Sequence, residues 1–182
     1  MTDLGSIISI VKMTNKHIDV MFTQKKKKRY TEQEAYIKLS ALCATCECCC
    51  QDIMKKMANW DMSNEEKNAV KEKLMKERFI DENRFARAFV RDKFRYNKWG
   101  KVRIAQELKM RNISSQDIDD GMEEIEEEDN LDMLRELIRK KKSSTKGKNA
   151  YEVKAKLYRY AMGKGFSYND IAKVIGDIDE DV

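Results

Sequence analysis

Proline is absent from this 182-residue chain, glycine occurs only 7 times and histidine once. Nothing of the proline kind interrupts a helix, and the abundant residues, Lys, Glu, Met, Leu, Ala and Arg, are those that lose least on entering one. A nearly all-helical chain is expected. A lone His17 cannot supply a zinc-binding histidine pair, and the chain carries no Walker A sequence, Gly-rich dinucleotide turn or Ser/His/Asp arrangement. The expectation is a protein that is not an enzyme and needs no cofactor or metal. Long apolar runs are missing too. No stretch approaches the roughly 18–20 apolar residues that cross a bilayer, and Ile7 to Val11 is too short and lacks a cleavage pattern for a signal peptide. A cytoplasmic location without a membrane partner follows as the default. All 5 cysteines fall between Cys43 and Cys50, an odd and clustered set that argues for reduced thiols rather than a disulfide framework.

What is present is charge, sorted into blocks. The formal net charge is only +5. From Met1 to Tyr30, however, 7 basic residues face 2 acidic ones, and Lys25, Lys26, Lys27, Lys28 and Arg29 form an unbroken run. Between Arg84 and Arg111 there are 10 basic residues against Asp92 and Glu107, whereas Asn112 to Glu136 holds 11 acids and Arg135 alone. Arg139 to Lys173 turns basic again, with 11 cations against Glu152 and Asp170. Such blocks suit a protein that meets a polyanion with some surfaces and a basic or mixed protein surface with another; solvated helix faces are the bland alternative.

The chain also repeats. Met62-Ser63-Asn64-Glu65-Glu66, Ile113-Ser114-Ser115-Gln116-Asp117 and Phe166-Ser167-Tyr168-Asn169-Asp170 share the pattern apolar-Ser-x-x-acid, with the serines 51 and 53 residues apart. Each serine is placed to cap a helix while the acid bonds back, and the apolar residue can staple inward, as Ile113 to Ile118 and Phe166 to Ile171. The flanks keep register: Ile53, Ile104 and Leu157, then Met57, Leu108 and Ala161, then Leu74, Ile125 and Ile178 sit at matching offsets with core spacing. A further helix precedes each pair, over Thr31 to about Ala44 behind a Thr31-x-x-Glu34 capping box, Asp81 to about Tyr96, and about Asp129 to Lys141. The unit is a three-helix module of roughly 50 residues. The expected division is a basic arm over 1–30 and modules over 31–80, 81–128 and 129–182. Stacked modules of this kind would form an elongated, curved all-α array. Ser143 to Asn149 reads as a loop in the third, and Ser6 to Phe22 permits a small β-hairpin in the arm.

Candidate binding residues concentrate in the second module. Phe85, Ala86, Phe89 and Val90 mark one side of a helix, and Arg84, Arg87, Arg91 and Arg95 fall in about one quadrant of the other. Such a ladder is spaced to meet successive phosphates or carboxylates, or is a solvated face. It continues through Lys98, Trp99, Gly100, Lys101 and Arg103, where Trp99 either stacks on a base or an arginine or closes the seam between helices. Outer contacts are expected from Lys140, Lys141 and Lys142 and from Lys25 to Arg29. Base readout by the helices after Ser63 and Ser114 is disfavoured, because Glu65, Glu66 and Glu72, or Asp117, Asp119, Asp120, Glu123 and Glu124, would repel phosphate. Cys43, Cys46 and Cys50 are spaced to share one helical face. A single helix cannot wrap its own cysteines around tetrahedral zinc, so small buried hydrophobes are the preferred reading and a redox-sensitive thiol the remaining one.

Phe79-Ile80-Asp81-Glu82-Asn83-Arg84-Phe85-Ala86-Arg87-Ala88-Phe89-Val90-Arg91-Asp92-Lys93-Phe94, followed by Lys98-Trp99-Gly100-Lys101-Val102-Arg103-Ile104-Ala105-Gln106-Glu107-Leu108 and Asn112-Ile113-Ser114, resembles the RecX family of recombination regulators. The likeness runs from about Thr31 to Ile178, most specifically in the second module and weakly in the third. The cysteine cluster and the arm from Met1 to Arg29 are not general features of that family. The resemblance implies a non-catalytic modulator of homologous recombination, DNA repair and the SOS response. It would bind the RecA recombinase filament on single-stranded DNA, lie along its groove as a monomer, and inhibit ATP hydrolysis, strand exchange and coprotease activity. The rival reading is a stand-alone helix-turn-helix DNA-binding protein or transcription factor.

Overall fold

Helix starts shape the architecture, because most are marked by a side chain that satisfies otherwise orphaned backbone N–H groups, the starts of the helices after Cys49, Gly100 and Glu126 being the exceptions. The structure, a computed structural model, describes residues 27–180. Its elements run β1 (Lys28–Arg29), α1 (Glu32–Cys43), α2 (Cys50–Met57), β2 (Trp60–Asp61), α3 (Asn64–Lys76), α4 (Glu82–Arg95), α5 (Lys101–Lys109), α6 (Ser115–Met122), α7 (Glu127–Ser144), α8 (Ala150–Lys164) and α9 (Tyr168–Glu180). Thr31 and Ser63 form complete capping boxes with Glu34 and Glu66. At α6 and α9 the expected box is half made. Ser114 accepts from the Asp117 N–H and Ser167 from the Asp170 N–H, but neither acid returns a bond to the serine N–H.

Those acids are used elsewhere, in a device that recurs in all three modules. Arg29 reaches Glu66 (2.6 and 3.0 Å), Asn83 reaches Asp117 (3.1 Å) and Asp120 (2.6 Å), and Asn130 reaches Asp170 (3.3 Å). In each case a donor near the start of the module latches the first turn of its last helix. Charge-assisted bonds of this kind fix orientation as well as adding energy.

Three hydrophobic clusters follow the chain. Ala35, Leu39, Ile53, Met57, Val70, Leu74 and Ile80 fill the first, Phe85, Ala86, Val90, Ile104, Leu108, Ile113, Ile118 and Ile125 the second, and Leu134, Ile138, Leu157, Ala161, Phe166, Ile171 and Val174 the third. The positions matched by the repeat are buried at 53, 57, 74, 104, 108, 125, 157 and 161. Each fully buried Leu or Ile stabilises its module by about 1.5–3 kcal/mol. Within the second module α4 packs chiefly on α6, and in the third α7 packs on both α8 and α9.

Two departures from expectation have clear causes. The cysteines do not share a helical face. Cys43 ends α1, Cys50 begins α2, and Cys46 to Cys49 lie in the connection. Cys48 is buried in the first cluster and its neighbour Cys49 in the second. Adjacent side chains can enter two cores on opposite sides only from an extended backbone, and Cys49 has φ −100° and ψ 162°. All five thiols are free, and no cluster of histidine, cysteine or carboxylate among the described residues is arranged to hold a metal. The other departure concerns the arm, whose expected hairpin, with Lys25 and Lys26, lies outside the described residues. Its end is part of the first module: Lys28–Arg29 pairs in parallel with Trp60–Asp61, and Tyr30 lies against Trp60 with ring centroids 4.3 Å apart.

Candidate partner-binding surface

The α4 arginines occupy the expected stretch, but the fold supplies most of them with partners. Arg84 donates through Nε to Glu47 in the cysteine connection (2.7 Å), and Arg87 and Arg91 both donate to Glu124 (3.1 Å each), with Glu123 also near Arg87. The close packing of α4 on α6 brings Glu124, just past the end of α6, to Arg87 and Arg91 across 33 to 37 residues of sequence, while Glu47 reaches Arg84 from the connection before α2. The hydrogen bonds from Arg87 and Arg91 hold the Glu124 carboxyl below the usual carboxylate range. Arg95, at the C-terminal end of α4, is exposed and has no acidic partner among the described residues.

Beyond Arg95 the chain turns sharply. Lys98 takes φ +56°, a left-handed conformation, and the Trp99 N–H bonds back to the Lys93 carbonyl (3.1 Å). A left-handed residue other than glycine costs about 1 kcal/mol, which the surrounding contacts must offset. Trp99 is partly buried against the second core, with the Arg103 guanidinium 4.0 Å from its ring centroid and Lys93 5.6 Å away. The indole therefore closes the seam and stacks on an arginine at once.

Gly100 and Gly165 form the joint between the second and third modules. The Gly100 N–H donates to the Lys164 carbonyl (2.9 Å) and the Val102 N–H to the Gly165 carbonyl (3.0 Å), while Arg103 donates to the Gly163 carbonyl (3.2 Å). The first N–H groups of α5 and the last carbonyls of α8, which no helix satisfies internally, satisfy one another, and the helix dipoles meet head to tail. Side chains are excluded here. A Cβ at position 100 would lie 2.3 Å from the Gly165 carbonyl oxygen, and Gly165, at φ +91°, would place one 2.1 Å from the Arg103 Cβ. Lys101 adds an ion pair to Glu127 (3.2 Å).

The outer cations are scattered. Lys140 pairs with Glu136 and Lys141 lies over the Tyr160 ring (5.3 Å), while Lys142 is half-buried beside an apolar hollow in the third module. Lys27 donates to the Ala58 carbonyl (3.3 Å), Lys28 lies over Tyr30 (4.8 Å), and Arg29 serves the first latch. The structure thus brings Arg95, Lys98, Trp99, Lys101 and Arg103 together at one joint and places Lys140 to Lys142 on the third module. Lys27 to Arg29 are tied to the first. Sequence reasoning missed Asn83, Asn130 and Gly165. An asparagine within the first turns of a helix, where its propensity is poor, was the available signal.

Comparison with known proteins locates this architecture. A model of the second three-helix domain of RecX matches residues 81–122, and one of the third matches residues 127–175. Regulatory protein RecX of Chromobacterium violaceum is 32% identical over 132 residues, covering 72% of this chain and 82% of that protein. The chain belongs to the RecX family. Regulatory protein RecX of Clostridium acetobutylicum is 29% identical over 109 residues, covering 58% of this chain and 50% of its own length; that of Clostridium beijerinckii is 29% identical over 122 residues, covering 66% and 55%. The chain thus spans about half the length of these two clostridial relatives. Among solved structures, regulatory protein RecX superposes with a TM-score of 0.73 at 22% identity, covering 80% of this chain and 73% of its own. RecX from Lactobacillus salivarius gives 0.71 at 17% identity, covering 81% and 96%. These likenesses bear out the all-α helical repeat fold and the membership of a family of regulatory proteins. No helix among the described residues is long and apolar enough to cross a membrane.

Proposed function

We propose that this RecX family chain is a non-catalytic regulator that binds a RecA recombinase filament on single-stranded DNA and inhibits its ATP hydrolysis, strand exchange and coprotease activity. The observation that carries the reading is the joint. Backbone-to-backbone bonds between α8 and α5 set the two modules matched by the family models at a fixed angle, with Arg95, Lys98 and Arg103 presented beside it. A rigid pair of modules bearing a basic patch suits a repetitive, charged polymer better than a small ligand. The acidic α6 supports a protein partner over base readout: Asp119 is exposed and Asp117 and Asp120 are held by Asn83, so the helix offers carboxylates where a recognition helix needs cations.

Arg87 and Arg91 are engaged within the module and move to a structural role in this reading, leaving Arg95 and Lys98 as the contacts to probe. The test is single-stranded-DNA-dependent ATP hydrolysis by the recombinase, titrated with the wild-type chain and with Arg95→Glu/Lys98→Glu. Hydrolysis is expected to fall as wild type is added, and the variant to need at least tenfold more protein. Unchanged hydrolysis with wild type, together with tight binding to bare duplex DNA, would replace this reading with the stand-alone DNA-binding one.

A further inference from the structure

We infer that the outer face of α8 is a binding track for the backbone and bases of single-stranded DNA, separate from the α4 arginines. Lys156, Arg159 and Tyr160 lie within about one quadrant of that helix, and Gly163 follows Arg159 one turn on. At the N-terminal end of this face a surface cavity of about 560 Å³ is lined by Lys141, Thr145, Lys146, Lys156, Arg159 and Tyr160, and no carboxylate lines it. Among the described residues Glu152 is the acid beside it, paired with Lys156 at 2.8 Å. At the other end the Gly163 carbonyl holds Arg103, whose guanidinium carbon lies 4.0 Å from the Trp99 ring centroid, and Lys93 stands beside the same ring.

Lys146, Lys156 and Arg159 therefore gather beside the Tyr160 ring and Arg103 and Lys93 beside the Trp99 ring, with the Arg103 bond to the Gly163 carbonyl tying the second group to the end of the same helix. Lys156 and Gly163 are about 10 Å apart along the helix, and with the Trp99 end included the strip has room for about four nucleotides, the low end of known single-strand site sizes. Its chemistry selects the ligand. Lysines and arginines meet phosphates, and a ring beside a cation meets the face of an unstacked base. A duplex hides those faces, whereas an anionic lipid surface or an acidic peptide has none. Arg159 differs from the α4 arginines in having no carboxylate ion pair among the described residues, whereas Arg84, Arg87 and Arg91 are paired with Glu47, Glu123 and Glu124, and Lys156 shares Glu152.

The inference rests on the regulatory reading for its purpose, but its test contains no recombinase. The full chain is titrated into a fluorescent oligothymidylate of about 30 nucleotides, and anisotropy is read over a salt series. Among the described residues Arg159 hydrogen-bonds only within its own helix, to the Ala155 carbonyl, with Glu152 its nearby charge, so Arg159→Gln is the cleanest variant. Its affinity should fall about threefold and its salt slope by about 0.7, the value for one lost phosphate contact on a single strand. Lys156→Gln/Arg159→Gln should double the slope change and weaken binding about tenfold. Tyr160→Ala should weaken binding fivefold or more at unchanged slope, with Tyr160→Phe like wild type. The track is overturned if the wild-type chain leaves the oligonucleotide free at low salt, or if Arg159→Gln and the double variant bind with wild-type affinity and slope while circular dichroism shows them folded. Equal wild-type affinity for a duplex of the same length overturns the single-strand assignment. Set beside the separate hydrolysis titration, a wild-type chain that binds the oligonucleotide but leaves hydrolysis unchanged refutes the regulatory reading alone, and one that inhibits hydrolysis but leaves the oligonucleotide free refutes the track alone.

Discussion

Replacing Gly100 by alanine isolates the joint between the second and third modules. The backbone itself raises no objection, since Gly100 has φ −77° and ψ 162°, an extended conformation that alanine adopts freely. What the methyl meets is the obstacle: the Gly165 carbonyl oxygen at 2.3 Å, its carbon at 2.5 Å and the Phe166 nitrogen at 2.6 Å, all main chain with no rotamer to change. Restoring van der Waals distance requires the C-terminal end of α8 to retreat by about 1 Å. That is enough to break the 2.9 and 3.0 Å bonds across the joint. Overpacking of this kind costs about 1–3 kcal/mol, and each of the two hydrogen bonds adds about 1 kcal/mol, for a loss of about 3–5 kcal/mol. Gly163, two residues before Gly165, is the control. A Cβ there meets nothing within 4 Å, so Gly163→Ala should be neutral or gain up to about 1 kcal/mol of helix propensity. Urea unfolding followed by circular dichroism reads both. Gly100→Ala is expected to lower the midpoint or split the transition as the third module uncouples. A single transition at the wild-type midpoint, with Gly163→Ala unchanged, would refute the account of the joint.

Two further predictions concern charge and thiols. Glu124→Gln should cost about 1 kcal/mol by releasing Arg87 and Arg91 from α6, measured by urea unfolding at neutral pH. Because the folded carboxyl titrates below its unfolded value of about 4.3, this stability is present above that pH and lost as pH falls through the lowered folded value. The gap between wild type and variant should therefore close in acid; a gap that persists at about pH 2 would show that the side chain acts by packing rather than charge. For the cysteines, burial pushes the Cys49 thiol up to about 11 and Cys50 to about 12, and raises Cys43 and Cys48, while Cys46 is exposed. Alkylation of the native chain at pH 7.5 followed by peptide mapping should modify Cys46 first, with the other four protected until unfolding. Early modification of Cys48 or Cys49 would contradict the burial of that connection in two cores.

The helices and cores were legible because their causes are local. Serine caps, stapling apolar residues and a period near 50 place Ile53, Ile104 and Leu157 inside, and all three are buried. The arginine ladder shows where that logic stops. Its spacing on α4 is a property of one helix, but whether it faces solvent depends on which helix packs beside it, and Glu47 and Glu124 lie 37 residues from Arg84 and Arg87. The cysteines failed for a related reason: a helical face was inferred from i, i+3, i+7 spacing, yet two cores meet at that segment and demand opposite directions from Cys48 and Cys49. The Gly100 joint was half visible. A glycine after Trp99 signalled a turn, but its need for Gly165 is a contact between modules 65 residues apart, and no local pattern encodes it.

That contact has a consequence for how such chains diverge. Modules joined by side chains can exchange or drift independently, because one rotamer absorbs what another loses. Here a Cβ gained at Gly100 would meet only main chain, and one gained at Gly165 would meet the Arg103 Cβ and backbone, which no rotamer change can move. The two modules are therefore a single heritable piece. Length can change in the connection around Thr145 to Asn149, whose backbone lies outside the joint, but a recombinant carrying one module without its native partner would inherit a helix end with nothing to close it.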